Sequence, residues 1–370
     1  MAQINFNSNI GMDYDLISDL NEMFSVSTDV PELREEDFLP KDFSSEMKMI
    51  LGILYSFFCI GAFLGNISIL SMIVTNRSLR TVTNTFILSL TVSDLLVSCW
   101  NMPMQLIFYL KNEWTFGETV CKLTSYINGV CIATSILALV SISIERYHVI
   151  CNPIKARLIR STKSALLTLL SIWVLSALIM LPQLWIQRQQ QRLSLQVDKY
   201  PPIRVAYLCV EVFPKFEYNI LYSFVFFLIL YVLPVVVMTY AYGKMAKVLW
   251  VRSHIGNEVI SPQLSDKREI QRRSIIRMLI VVVLCYIFCW LPFFSMHVII
   301  LFIEFTNTVR IIQAFALLAG YMNSFINPFV YFFLNAKLQR VFKKRCSAVC
   351  ESEDHKSHTP LKATTQITQM

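Results

Sequence analysis

The chain has 370 residues, of which 55% are hydrophobic and only 16% charged, whereas a water-soluble domain carries roughly 25% charged residues. A mean hydropathy of +0.52 excludes a soluble enzyme. The formal charge of +8 comes without a basic groove interleaved with aromatic residues, so no nucleic-acid partner is expected.

The first 48 residues form an acidic tail, with eleven acids against Arg34, Lys41 and Lys48, a charge of −8. Residues 1–15 have neither a basic n-region nor an apolar h-region, so the first membrane helix is expected to direct insertion. Apolar residues then gather into seven runs, each longer than the roughly 20 residues a helix needs to cross about 30 Å of hydrocarbon. With their flanks they predict helices over 49–74, 82–110, 118–147, 164–186, 218–247, 272–303 and 311–335. The expectation is an all-α membrane protein, a seven-transmembrane helix bundle over 49–335; barrel strands would alternate over about ten residues instead. Past the bundle, residues 336–346 place Leu338, Val341 and Phe342 on one stripe among Lys337, Arg340, Lys343 and Lys344. That pattern predicts a short amphipathic eighth helix against membrane lipids, with Cys346 and Cys350 as palmitate sites and a tail over 347–370.

Basic residues set the orientation. Segments 75–81, 145–163, 244–277 and 336–370 would share one face and hold 22 of the 33 Lys and Arg residues, which makes that face cytoplasmic and the amino-terminal tail extracellular. Of the ten cysteines, only Cys121 and Cys209 then lie outside both the helices and the reducing cytosol. They are expected to pair and pin the loop 187–217 over the third helix, the alternative being two buried thiols.

Ionisable side chains inside the apolar runs are Asp94 and His297. A carboxylate at bilayer depth costs about 2.5–3.5 kcal/mol on insertion scales unless it faces the bundle and finds partners. Asn66, Ser135, Asn323, Ser324 and Asn327 lie at suitable depths, either as a hydrogen-bonded packing network or as a hydrated, ion-binding cavity. Pro103, Pro182, Pro234, Pro292 and Pro328 are expected to kink their helices. The nine glycines form no Gly-x-Gly or phosphate loop, and neither a catalytic constellation nor a matched pair of interrupted helices is present. These absences speak against an enzyme and a carrier, and a small-solute transporter or channel is kept only as an alternative.

The ordered set Asn66, Leu90-x-x-x-Asp94, Trp114-x-Phe116-Gly117 before Cys121, Glu145-Arg146-Tyr147, Trp173, Pro234 with Tyr242, Cys289-Trp290-Leu291-Pro292 and Asn327-Pro328-x-x-Tyr331 resembles the rhodopsin-like (class A) G-protein-coupled receptors over about residues 49–346. The resemblance implies that Glu145, Arg146 and Tyr147, with Tyr242 and Tyr331, couple to a heterotrimeric G protein. It also implies that Trp290, Pro292, Asn327 and Pro328 form the activation switch, and that Asp94, Ser135, Asn323, Ser324 and Asn327 match an allosteric sodium site, with no other cofactor. Three positions depart from the family pattern: Tyr286 for a usual Phe, Leu338 for a usual Phe, and Arg272 where some members hold an acid.

Asn128 stands where amine receptors have Asp, and no lysine occurs in 311–335, so neither a monoamine nor a retinal ligand is implied. Trp114-Thr115-Phe116-Gly117, with the 31-residue loop that contains Cys209-Val210-Glu211, resembles the neuropeptide branch of RFamide, neuropeptide FF and orexin receptors. The pyroglutamylated RFamide group is nearest, by Arg80–Ile87, Leu249-Trp250-Val251 and Pro292-Phe293 with His297. The implied ligand is an amidated extracellular peptide, with a different peptide or small ligand as the alternative. Candidate ligand contacts are Gln105, Asn128, Gln183, Glu211, Phe293, Phe294, His297, Glu304, Gln313 and Tyr321. Asn128 is expected to take the carboxamide, and Glu211, then Glu304, a basic side chain. The tail's serines and threonines imply receptor kinases and an arrestin as partners, and Thr368-Gln369-Met370 a PDZ protein, at a plasma-membrane location.

Overall fold

The computed structural model describes residues 42–79, 81–152, 154, 162–195, 203–255, 262–303, 306–334 and 338–342. Seven long apolar helices are found among them, as hydropathy predicts. They are α1 (Ser45–Thr75), α2 (Val82–Lys111), α3 (Gly117–Cys151), α4 (Thr162–Met180), α5 (Phe216–Phe227, a π turn at Leu228–Val232, then Leu233–Ile255), α6 (Pro262–Ile299) and α7 (Asn307–Leu334). Capping sets two of the starts: Ser44 accepts from the Met47 amide and Thr81 from that of Asn84, each satisfying a donor that the first turn leaves orphaned.

The boundaries differ from the predicted ones where backbone chemistry overrides hydropathy. α4 was expected over 164–186 with a kink at Pro182; it ends at Met180, where Leu181 and Pro182 form a turn before a single further turn at Gln183–Ile186. α6 begins ten residues before the predicted start and ends at Ile299, four short of the predicted 303. α5 continues to Ile255 through a basic stretch that hydropathy scores as loop. Residues 338–342 are helical, with Leu338 fully buried; the rest of the expected 336–346 helix, both tails, Glu304, Cys346, Cys350 and the side chain of Arg272 lie outside the described residues.

The π turns of α2 (Val97–Asn101) and α5 lie just ahead of Pro103 and Pro234. A proline cannot send an N–H back along its helix, so nearby carbonyls need other donors. In α2 the Cys59 thiol of α1 meets the Ser98 carbonyl at 3.1 Å. In α5 the Tyr286 hydroxyl of α6 donates to the carbonyl of Leu230, four residues before Pro234, at 2.5 Å. Tyr231 answers from the same π turn by donating to the Ile287 carbonyl of α6 at 2.9 Å. This reciprocal clasp joins α5 to α6.

The loop 187–217 contains an antiparallel hairpin. Strand β1 (Gln187–Leu195) pairs with β2 (Ile203–Glu211), from Gln187 opposite Glu211 to Leu195 opposite Ile203. The even face of β2 turns to the bundle, with Ala206 and Leu208 buried, while Val205 and Tyr207 are exposed. Cys209 is bonded to Cys121 at the start of α3, as the topology argument predicts, and the Trp114 amide donates to the Tyr207 carbonyl at 2.7 Å. The hairpin therefore roofs one end of the bundle.

Closing an 88-residue separation constrains the unfolded chain by about 2–5 kcal/mol. Cys121→Ala and Cys209→Ala should each lose that stability in thermal or denaturant unfolding, and the double variant should lose no more than either single one, since both break one bond. Additive losses would refute the pairing as a stabilising unit.

Candidate functional site

Under the hairpin lies a cavity of about 270 Å³ between α2, α6, α7 and β2. Four of the ten residues expected from the sequence line it: Gln105 from α2, Phe293 and His297 from α6, and Gln313 from α7. Phe108, Tyr109, Leu208, Val210, Met296 and Leu317 supply most of the apolar wall, and Arg310 a cation. None of these was singled out in the sequence. Arg310, Gln313 and Leu317 recur at helical spacing on one face of α7, so the signal was present, but a basic residue at a helix end reads as solvated.

Five more expected contacts lie elsewhere. Asn128 and Tyr321 do not line the cavity; the Tyr321 hydroxyl donates to Asn128 Oδ1 at 3.3 Å, and Tyr321 belongs to the apolar cluster around Tyr55 and Tyr109. Phe294 is fully buried core, packed on Phe226, Tyr231 and Trp290 at 5.4–6.0 Å between ring centres. Gln183 donates to Glu211 Oε1 at 3.1 Å and to the Tyr222 hydroxyl at 2.8 Å, tying the end of β2 to α4's extension and to α5. Glu211, expected to overhang the cavity, is thus held on the α4 and α5 side and does not line it.

Below the cavity, Phe293 meets Trp290 edge-on at 5.6 Å, and Trp290 lies against Gly320 of α7. A β-carbon at Gly320 would stand 2.7 Å from the indole ring, so the absence of a side chain there sets how closely α6 and α7 approach. At the bundle's centre Asp94 is 2% exposed; its Oδ1 accepts from the Ser324 hydroxyl at 2.7 Å and its Oδ2 from the Asn327 amide at 3.0 Å. Asn66 of α1 donates to the Ser324 carbonyl at 2.9 Å, the carbonyl four residues before Pro328. Ser135 and Asn323 are buried, and the side-chain Oδ1 atoms of Asn323 and Asn327 have no hydrogen-bond partner among the described residues. Both readings of Asp94 thus have a physical basis: a packing network is made, and buried acceptors are left over.

At the end opposite the hairpin, Arg146 is 8% exposed, with Nη2 3.4 Å from Glu145 Oε2. Tyr147 packs on the cluster of Ile150, Met245 and Ile276. Ser143 spends its one proton on the Leu139 carbonyl, so the Tyr242 hydroxyl, 3.2 Å away, donates to Ser143. Tyr331 is buried, and its hydroxyl has no partner among the described residues.

The profile of 7 transmembrane receptors (rhodopsin family) matches residues 65–331. The chain is 30% identical over 313 residues to the pyroglutamylated RF-amide peptide receptor of Rattus norvegicus, covering 81% of this chain and 69% of that one. It is 29% identical over 308 residues to the QRFP-like peptide receptor of Branchiostoma floridae, with coverage of 81% and 78%. It is equally 29% identical over 322 residues to the tachykinin-like peptides receptor 86C of Drosophila melanogaster, covering 84% of this chain and 61% of that one.

The contact at Gly320 yields a paired expectation. Gly320→Ala should destabilise the protein by about 1–3 kcal/mol, because the indole has to leave its seat. Gly243→Ala, where nothing lies within 4 Å of the added carbon, should be neutral or stabilising by up to about 1 kcal/mol. Thermal unfolding of the two purified variants measures the difference; equal melting temperatures would refute the close fit.

Proposed function

The chain belongs to the rhodopsin family of seven-transmembrane receptors, and from that premise we propose that it is a plasma-membrane receptor for an extracellular peptide of the amidated Arg-Phe kind that activates a heterotrimeric G protein. The observation that carries this reading is the cavity itself, where Gln105, Phe293, His297 and Gln313 meet beneath a hairpin bonded to α3. The hairpin end is the extracellular face and the Arg146 end the cytoplasmic one, in keeping with the distribution of basic residues. The names of the relatives support a peptide ligand. A tachykinin-like peptide is the second reading, favoured by an identity to the insect receptor of 29% against 30% for the RF-amide receptor.

The geometry suits transmission from one face to the other. A ligand pressing on Phe293 and Met296 acts on α6 directly above Trp290, and Trp290 bears on α7 through Gly320. Pro292 leaves α6 a weak point at that level. A tilt there moves the inner end of α6 away from Arg146 and opens the cleft a G protein would enter. The Tyr231–Tyr286 clasp opposes that tilt. A sodium ion would be held by Asp94 with Ser135, Asn323, Ser324 and Asn327, supplying a positive charge to the carboxylate. Receptor kinases and an arrestin on the tail, a PDZ protein at Thr368–Met370 and palmitate on Cys346 or Cys350 complete the proposed partners.

Membranes from transfected cells, challenged with peptides ending in Arg-Phe-amide and with tachykinin-like peptides, should show nucleotide exchange on an added G protein with the first group. Arg146→Ala should abolish exchange while the peptide still binds, since the residue lies at the far end of α3. Activation by tachykinin-like peptides alone would select the second reading, and activation by neither would end the peptide assignment.

Without ligand, Tyr286→Phe and Tyr231→Phe should each raise basal exchange about threefold, the worth of one membrane hydrogen bond of about 0.6 kcal/mol. Unchanged basal exchange in both would show that the clasp survives activation.

A further inference from the structure

We propose that the lipid-facing side of α5, at its cytoplasmic end, is a binding site for one anionic phospholipid of the inner leaflet, with an acyl chain along residues 235–243 and the headgroup phosphate between Lys244 and Lys247. The site lies apart from the peptide cavity and needs no peptide.

The inner half of α5 has two unlike faces. Met238, Ala241 and Met245 are buried against the bundle, Met245 in the cluster of Ile150 and Ile276 on which Tyr147 packs, so this stretch lies at the Arg146 end. The opposite face is hollowed. Val235, Val236, Thr239, Tyr240, Gly243 and Lys244, all from α5, line a shallow groove of about 500 Å³. Gly243 keeps it open: an added β-carbon would meet nothing within 4 Å, while the Tyr240 ring stands exposed beside the gap. From Val235 to Lys244 the helix rises about 14 Å, close to half of a hydrocarbon core of about 30 Å. The groove is thus one leaflet long, and its walls are apolar.

Its inner end is cationic. The Lys244 ammonium lies 5.6 Å from the centre of the Tyr240 ring, folded back over the groove. Lys247 is exposed and continues the stripe of Tyr240, Gly243 and Lys244 by helical spacing. No acid occurs in Leu233–Ile255, and neither lysine meets a carboxylate among the described residues. Two cations at the end of a one-leaflet apolar groove match a phosphate joined to an acyl chain. A sterol would fill the groove and leave both charges to water; a soluble phosphate would take the charges and leave the groove empty. The cytoplasmic leaflet is the anionic one, so the charge of its lipids complements that of the lysine pair.

The test uses the purified full-length receptor in detergent micelles, titrated with phosphatidylserine or with phosphatidylcholine of the same acyl chains, bound lipid being counted by native mass spectrometry. The wild type should take one phosphatidylserine about 25-fold more tightly than phosphatidylcholine, two lysines contributing about fivefold each. Lys244→Gln and Lys247→Gln should each weaken phosphatidylserine about fivefold, and the double variant should bring it down to phosphatidylcholine. Gly243→Leu, which fills the groove and leaves both lysines in place, should abolish the one-lipid stoichiometry, so that adducts accumulate without saturating at one. Thermal melting without lipid shows which variants are folded, and the exposed lysines carry the test alone should the leucine variant fail to fold. Equal affinity for the two lipids, unsaturating adducts in the wild type, or phosphatidylserine binding indifferent to the double lysine substitution overturns the proposal. Displacement of the lipid by an equal concentration of glycerophosphoserine, which has the headgroup without the chains, also overturns it and makes the site one for a soluble anion.

Discussion

Hydrocarbon offers no water to a backbone carbonyl, and this bundle is organised around the carbonyls its prolines expose. Ser324 precedes Pro328 by four residues, and Asn66 reaches across from α1 to its carbonyl. Leu230 precedes Pro234 by four, and Tyr286 reaches across from α6. Each kink thus becomes a joint between helices, because the donor that the proline removes is replaced by a side chain of a neighbour. Asp94 extends the first joint. Its two oxygens take the Ser324 hydroxyl and the Asn327 amide, so one buried carboxylate fastens α2 to α7 just where α1 is fastened to α7 by Asn66.

The two joints divide the labour. Asn66, Asp94, Ser324 and Asn327 tie α1, α2 and α7 with side chains that are almost wholly buried, which makes that side the fixed one. Its α7 carries Arg310 and Gln313 at the cavity and Gly320 beneath Trp290. α6 is held to α5 by two tyrosine hydroxyls on carbonyls, and it packs along α7 in the most extensive helix contact of the described residues, with Trp290 seated against Gly320. α6 carries Phe293, Met296 and His297 into the same cavity, so a ligand there touches both sides of the α6–α7 seam.

Hydropathy alone located all seven spans because each run exceeds the bilayer, and the disulfide followed from topology because only two cysteines were left where oxidation is available. The hairpin was illegible. Gln187–Leu195 is polar at seven of its nine positions, and β2 alternates only weakly, so nothing marks its inward face until Cys209 is anchored. Helix ends moved where Pro182 stops a helix and where basic residues prolong one. At the cavity, Gln105, Phe293, His297 and Gln313 were legible as polar or aromatic residues at matching depths. Phe294, one position on, faces the core, a helical phase that motifs do not resolve. Arg310 and the clasp partner Tyr231 belong to no motif, and only their three-dimensional neighbours give them a role.

Charge shows most clearly what the sequence withholds. The acidic tail and Glu211 suggest a mouth that attracts cations, an attraction that salt screens beyond a Debye length of about 8 Å. Contact is decided at shorter range. There Glu211 sits on the α4 and α5 side, bound by Gln183, while Arg310 sits on the α2 and α7 side, bound by Asn112. Of the two, only Arg310 lines the cavity, while Glu211 lies outside it on Gln183, so the charge that the motifs place at the mouth and the charged residue that the cavity contains have opposite signs.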